Sequence, residues 1–374
     1  MSDEIRVITM PKWGLSMTEG MVAQWNVAEG AEIKAGEEVV EIETTKITNV
    51  YESPVGGTLR RLVVAEGETV PVRGLLAVVA DTAATDADID AFIAKYQAEL
   101  GEWLASGADD GPQYETAQVG GLSLRYLKLG DAEGRPLLLL HGFSGDLNNW
   151  MFNQPVLAER ASVYALDLPG HGASSKAIEV GDIGGMATAV LGFMDAVGIA
   201  TAHLVGHSMG GGIALKLALD HADRVSSLTL IAPIGLGPDI NAGFIDGFIA
   251  ASRRKDMKPV LAQLFADESL VSRDMINDVL KYKRLDGVEP ALKRVAEAVF
   301  SDNRQSLVLV DRLSELIPPA QCIWGADDRI VPAAHGAGLP ANITVHTLVA
   351  TGHMAHMEKA GDVNRLVEEF VDGA

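Results

Sequence analysis

The chain has 374 residues, 48% of them hydrophobic and 22% charged, enough apolar material for a core and more length than one core usually takes. Its formal net charge of -21 argues against nucleic acid or an anionic membrane as partner. Cys322 is the single cysteine, which excludes an intrachain disulfide and a thiolate metal cluster. Its setting in the apolar run Gln321-Cys322-Ile323-Trp324 predicts a core position. The first residues, Met1-Ser2-Asp3-Glu4, carry no basic or apolar leader, and no apolar run nears the roughly 20 residues of a membrane span, so a cytoplasmic location is expected.

Residues 4–80 alternate apolar and polar positions in short stretches such as Val39-Val40-Glu41-Ile42-Glu43, separated by glycines, which predicts an all-β unit. Ala28-Glu29-Gly30 with Ile33 and Gly36 is echoed by Ala65-Glu66-Gly67 with Val70 and Gly74, so two similar halves make a small sandwich with pseudo-twofold symmetry. The first half then ends in a hairpin at one edge, Glu43-Thr44-Thr45-Lys46-Ile47-Thr48-Asn49, with Lys46 at its tip. With Met10-Pro11, Glu19-Gly20 and Ser53-Pro54-Val55-Gly56-Gly57, this stretch resembles the lipoyl domains of 2-oxo acid dehydrogenase complexes. The resemblance implies lipoic acid in amide linkage on Lys46. Thr45 stands where that family has aspartate, a change that bears on which partner reads the hairpin. Biotinyl domains share the fold, but their lysine lies between methionines, and Thr45 and Ile47 flank this one.

Residues 81–113 read as a linker, small and acidic at Asp81–Asp88 and loop-like from Ala105 to Pro112. Between these, Ile89, Phe92, Ile93, Tyr96, Leu100 and Trp103 recur at helical spacing, with Asp88 or Asp90 placed to cap the start. Such a stripe needs a surface to dock on, and the second domain is favoured over a separate protein. The basic, glycine-rich pattern of a small subunit-binding domain is not found there.

From 114 to 374 strands alternate with helices. Pro136–Leu140, Ala161–Leu166, Ala202–Val205, Ser227–Ile231 and Cys322–Trp324 are apolar runs of the kind buried on both faces of a mostly parallel sheet. Residues 236–315 interrupt the rhythm with helical periodicity and predict a lid over the active edge. Gly206-His207-Ser208-Met209-Gly210 follows a strand and opens a helix, the context a nucleophile elbow requires. His141-Gly142-Phe143, Asp167–Gly172, Asp327-Asp328-Arg329-Ile330-Val331-Pro332 and Gly352-His353 appear in the order found in the α/β-hydrolase family, which this half resembles throughout.

A serine hydroxyl needs a base to remove its proton and a carboxylate to orient that base. The resemblance makes Ser208 the nucleophile, His353 the base and Asp328 the acid, with Asp327 as runner-up; His353 is preferred to His356 because it follows Gly352. The backbone N–H groups of Phe143 and Met209 are the expected oxyanion pair. Asp167 reads as a turn and salt-bridge residue, His141 as an organiser of the oxyanion loop, His207 as shaping the elbow and His221 as ending a helix. Trp150, Phe143 and Met209 would line a pocket for a small acyl group. No metal spacing such as H-E-x-x-H occurs, and no metal is expected. Arg253, Arg254, Lys255 and Lys258 form a basic cluster in the lid, read as a solvated face in preference to a phosphate site.

A lipoyl domain joined to a serine-hydrolase fold resembles the acetyltransferase (E2) components of acetoin dehydrogenase complexes. That resemblance implies acetyl transfer from the lipoyl arm to coenzyme A, a thiamine-dependent E1 and a dihydrolipoyl dehydrogenase E3 as partners, and a small-molecule acyl substrate. Two other functions are weighed: a lipoyl-carrying esterase or thioesterase, which would use the same residues, and a carrier whose hydrolase fold serves only for docking, which an intact triad disfavours.

Overall fold

Alternation along the first unit resolves into two facing sheets. The computed structural model describes residues 5–13, 17–44, 48–81, 84–105, 113–131, 136–179 and 181–373, and the chain divides into units Met1–Gly111 and Pro112–Ala374. In the first, β1 (Arg6–Thr9), β2 (Glu19–Trp25), β3 (Glu32–Ile33), β4 (Glu38–Glu43), β5 (Thr48–Glu52), β6 (Gly57–Leu62), β7 (Thr69–Pro71) and β8 (Leu75–Val79) pair antiparallel in the orders β1-β8-β6-β3 and β5-β4-β2-β7. Ile8, Val22, Val40, Ile42, Leu59 and Leu76 fill the space between them. The internal echo is physical: Glu29 accepts the Leu62 N–H at 2.7 Å and Glu66 the Trp25 N–H at 2.9 Å, while Gly30 and Gly67 are both left-handed, with φ +89 and +83. The offset relating those glycines pairs Gly36 with Arg73, not with Gly74, and Arg73 takes the left-handed φ of 69.

Helix α1 (Asp86–Ala105) docks on this first unit, not on the second domain as its stripe suggested. Ile89, fully buried, joins Leu75 and Val78 of β8, with Ile93 and Tyr96 packed beside it. Arg60 and Arg61 of β6 pair with Asp86 at 3.2 Å and Asp90 at 2.9 Å. The start is capped by Thr85, whose Oγ1 accepts the Asp88 N–H while Asp88 Oδ2 accepts the Thr85 N–H, a capping box. Farther along, the Tyr96 hydroxyl donates to the Arg73 carbonyl at 2.9 Å and the Arg73 guanidinium lies over the Trp103 ring at 4.9 Å, holding the one non-glycine among the echo's left-handed turn positions, 30, 36, 67 and 73.

The second unit is built on β9 (Tyr114–Val119), β10 (Leu122–Leu129), β11 (Leu137–Leu140), β12 (Val163–Leu166), β13 (Ala202–His207), β14 (Val225–Ile231), β17 (Ala320–Gly325) and β18 (Ile343–Leu348), in the order β18-β17-β14-β13-β11-β12-β10-β9. The pairings from β12 to β18 are parallel, and β10 and β9 add antiparallel. Helices α2 (Gln154–Leu157), α3 (Ile183–Ala196) and α4 (Met209–Asp220) fall among these strands, and α9 (Ala355–Glu358) and α10 (Ala360–Gly373) close the chain. Leu138, Leu139, Leu204 and Leu230 are fully buried, each worth about 2 kcal/mol of burial.

Between β14 and β17 lie α5 (Ala242–Ala250), α6 (Arg254–Leu261), α7 (Arg273–Lys283), α8 (Val288–Val299) and a two-residue ladder of β15 (Phe300–Ser301) with β16 (Arg304–Gln305), which periodicity had not indicated. Buried Lys283 of α7 donates to the carbonyls of Phe248, Ile249 and Ala251 at the end of α5, capping one lid helix with a cation from another. No helix among the described residues is long and apolar enough to cross a membrane.

Candidate active site

Ser208 stands between the last residue of β13 and the first of α4 at φ 52, ψ -113, a conformation costly for a side-chain-bearing residue. Its neighbours explain why small residues flank it. A Cβ on Gly206 would strike the Gly210 carbonyl, and one on Gly210 would strike the carbonyl of Leu140. The elbow therefore packs backbone against backbone and lifts Ser208 to the N-terminal end of a helix, where Met209 at the first helical position has no intrahelical acceptor for its N–H.

His353 Nδ1 meets Asp328 Oδ2 at 2.8 Å, with both side chains almost wholly buried. The other oxygen, Oδ1, accepts the N–H groups of Ile330 at 2.8 Å and Val331 at 3.0 Å, so the carboxylate is fixed by its own loop. Nδ1 thus carries the proton and Nε2 keeps its lone pair for a substrate or a hydroxyl. Asp327 is exposed, and its backbone N–H bonds to the Thr351 carbonyl. Of the two candidates, it is Asp328 that bonds to His353.

The loop bearing Phe143 comes against the elbow: a Cβ on Gly142 would sit 3.0 Å from the Ser208 Cβ. His141 holds that loop. Its Nε2 accepts the Leu168 N–H at 3.0 Å, so Nδ1 carries hydrogen and donates to the Gly142 carbonyl at 2.8 Å. Burial lowers its pKa to about 4, consistent with a neutral ring. Asp167, buried, pairs with Arg125 at 2.6 Å and accepts the Leu147 and Ala173 N–H groups, the structural role its turn implied.

His207 does more than shape the elbow. Its Nε2–H donates to the His353 carbonyl at 3.0 Å, and its ring lies 4.6 Å from that of His353 and 4.5 Å from that of His356. Burial holds His207 well below the ordinary histidine range and His356 at about 3. Trp150 lies tilted against His356 at 4.6 Å, and Trp150, Met209 and Phe143 are all buried, with 1%, 0% and 7% of their surfaces exposed, so none of the three lines an open acyl pocket. In the lid, Arg253 pairs with Asp256 and Arg254 bonds to Asn277, both at 2.7 Å, as a solvated helix face would. His221 ends α4, and burial pushes the Cys322 thiol up to about 12, leaving it an inert core residue.

In the first unit β5 is an edge strand, and the β4–β5 ladder closes on the pair Glu43 and Thr48. Lys46 is on the connection that follows and lies outside the described residues.

The α/β-hydrolase fold family model matches residues 135–360, and the family described as biotin-requiring enzyme matches residues 6–79. Over nearly the whole length, the dihydrolipoyllysine-residue acetyltransferase component of the acetoin cleaving system of Pseudomonas putida is 47% identical, covering 98% of this chain and 99% of the relative. Its counterpart in Cupriavidus necator is 45% identical, covering 100% of this chain and 99% of the relative. The chain belongs to this family of acetoin-system acetyltransferase components. This chain joins a lipoyl domain to an α/β-hydrolase domain, and a meta-cleavage product hydrolase of known structure matches it with a TM-score of 0.63 at 25% identity, covering 70% of this chain and 98% of the other.

Two residues of this acetyltransferase-family site escaped the sequence, and a third, His207, was read only as shaping the elbow. Glu358, a half-buried carboxylate raised in pKa by desolvation, accepts the N–H groups of Gly352 and Ala266 at 2.8 Å each. Arg329, beside the acid, donates to the carbonyls of Ala262 and Phe265 at 2.6 Å. Both grip the same lid segment, so the loops carrying His353 and Asp328 are anchored to the lid. His207 adds the third link, from the elbow to the base. The lone acid in Ala355-His356-Met357-Glu358 was the available signal for Glu358; nothing in the sequence marked the bonds of Arg329 or His207.

Proposed function

We propose that this chain is the dihydrolipoyllysine-residue acetyltransferase of an acetoin cleaving system, transferring an acetyl group from a lipoyl arm to coenzyme A through Ser208. What carries the reading is the presence, on one chain, of a lipoyl unit and a serine elbow beside a histidine bonded to a buried aspartate. Lipoic acid in amide linkage on Lys46 supplies a dithiol that holds the acetyl group as a thioester. Its attachment there is supported by the hairpin's place at a sheet edge, with Lys46 just beyond the last pair.

Ser208 Oγ attacks the thioester carbonyl carbon as His353 Nε2 takes its proton. The N–H groups of Phe143 and Met209 bond the oxyanion, each such donor being worth about 3 kcal/mol in a preorganised site. The carbon–sulfur bond then breaks, and His353 returns its proton to the departing sulfur. Asp328 stabilises the imidazolium in both directions. In the second half His353 removes the thiol proton of coenzyme A, the sulfur attacks the acetyl-serine, and collapse gives acetyl-CoA while the proton goes back to Ser208 Oγ. Water must be kept from the acetyl-serine meanwhile, and the lid gripped by Glu358 and Arg329 serves that end. A thiamine-dependent E1 loads the arm, a dihydrolipoyl dehydrogenase E3 reoxidises it, and the complex works in the cytoplasm on a small acyl group.

The test supplies the purified protein with acetyl-dihydrolipoamide, with and without coenzyme A, and quantifies acetyl-CoA against acetate. Acetyl-CoA as main product, with negligible acetate when the thiol is withheld, is expected; rapid acetate release regardless of coenzyme A would make the protein a thioesterase carrying a lipoyl arm.

A further inference from the structure

Helices α5 and α8 of the lid leave between them a groove of about 330 Å³, within the usual size of a small-molecule site. Its floor is apolar: Ile245 and Ala296 are buried, and Ile249 and Phe300 half-buried. Phe300 at the inner end packs edge-on against Phe143 at 5.7 Å, and Phe248, on the same helix as Ile245 and Ile249, meets Phe143 at 6.2 Å. One aromatic layer therefore separates the groove from the loop that carries Phe143. The rim carries three carboxylates, Asp246, Glu297 and Asp302, against the single cation Lys293.

Resting on the acetyl-transfer reading, we propose that this groove is the entry for the lipoyl arm and not for coenzyme A. The arm is a slender, uncharged aliphatic chain, so it loses little solvation on an apolar floor and is indifferent to the rim. Coenzyme A carries several phosphate charges, which the rim carboxylates repel. Phe300 is the gate between groove and acyl site, and the two substrates of one serine reach it by routes sorted on charge.

The test uses the full chain with Lys46→Arg, so that no arm of its own competes. Ile249→Trp and Ala296→Phe narrow the groove from opposite walls, and circular dichroism reports whether each is folded; either one suffices. In a ping-pong reaction kcat/KM for each substrate reports its own half-reaction, so both variants should lower kcat/KM for acetyl-dihydrolipoamide about tenfold or more and leave that for coenzyme A within about twofold. Calorimetric titration of lipoamide into the same variants carrying Ser208→Ala should show a correspondingly raised Kd. Equal losses for both substrates, loss for coenzyme A alone, or no change in either would overturn the assignment. A wild-type chain releasing only acetate would sink the transferase reading, while the lipoamide titration would still decide the groove.

Discussion

His207 Nε2–H and the His353 carbonyl, 3.0 Å apart, tie the residue before the nucleophile to the base itself. Removing that donor leaves a buried carbonyl unpaired, at a cost of about 1–3 kcal/mol. If the strain is taken up in the spacing of Ser208 and His353, His207→Phe should lower kcat about 10- to 100-fold with KM little changed, and His207→Gln, which can still donate, should recover most of it. Burial keeps the ring neutral, so the pH profile of kcat should keep its shape in both variants. A shifted profile would mean that His207 exchanges protons with the reaction.

Ser208→Ala and His353→Ala should each reduce acyl turnover by about 10⁴-fold or more, far beyond a packing effect, while lipoylation measured by intact mass is retained. The bond from Asp328 to His353 sets the third member: Asp328→Asn should be severe and exposed Asp327→Asn within about twofold of wild type. That mass measurement should also show one lipoyl adduct, lost in Lys46→Arg.

Gly352→Ala probes the grip on the lid. A Cβ there would lie 2.6 Å from the Ala266 nitrogen and 2.8 Å from the Phe265 carbonyl carbon, backbone atoms that must move as a segment. The variant should lose about 1–3 kcal/mol of stability in urea and release more acetate per acetyl-CoA formed, because the displaced lid admits water. Unchanged partitioning would leave the lid no part in excluding water.

Four histidines, His141, His171, His207 and His356, are buried with pKa values driven down, to about 4, 3, well below normal and 3 respectively. Unfolded, each takes a proton near its ordinary pKa of 6.5, so below that pH the unfolded chain binds more protons and stability falls as pH falls. Each contributes about 1.4 kcal/mol per pH unit between 6.5 and its folded value. Urea midpoints for the hydrolase unit should drop steeply below about pH 6, and His356→Phe should remove about one proton from that slope. A slope insensitive to His356→Phe would place its titration elsewhere.

Helix α1 should stabilise the lipoyl unit. The fragment 1–105 should resist urea by about 2–4 kcal/mol more than 1–81, from the burial of Ile89 and the Arg73–Trp103 contact.

Motifs were legible where chemistry and backbone sterics coincide. Gly206 and Gly210 have no alternative at a crowded elbow, and the strands buried on both faces, β11 to β14 and β17, declare themselves as apolar runs. β9 and β18 sit at the two sheet edges with many exposed residues, so their pattern fades into that of loops. The docking partner of α1 was not legible, since an apolar stripe shows that a surface is needed without showing which. Arg73 hid a turn because its left-handed backbone is held by Tyr96 and Trp103, residues more than twenty positions away. Trp150 read as pocket because it is large and apolar, whereas His356 covers it.

The docking of α1 also shortens the tether. With those twenty residues held against the lipoyl unit, the connection to β9 is left to residues 106–112, which span at most about 28 Å from Ala105 to Gln113. A lipoyl arm on this unit therefore has a shorter covalent reach than the whole of 81–112 would allow.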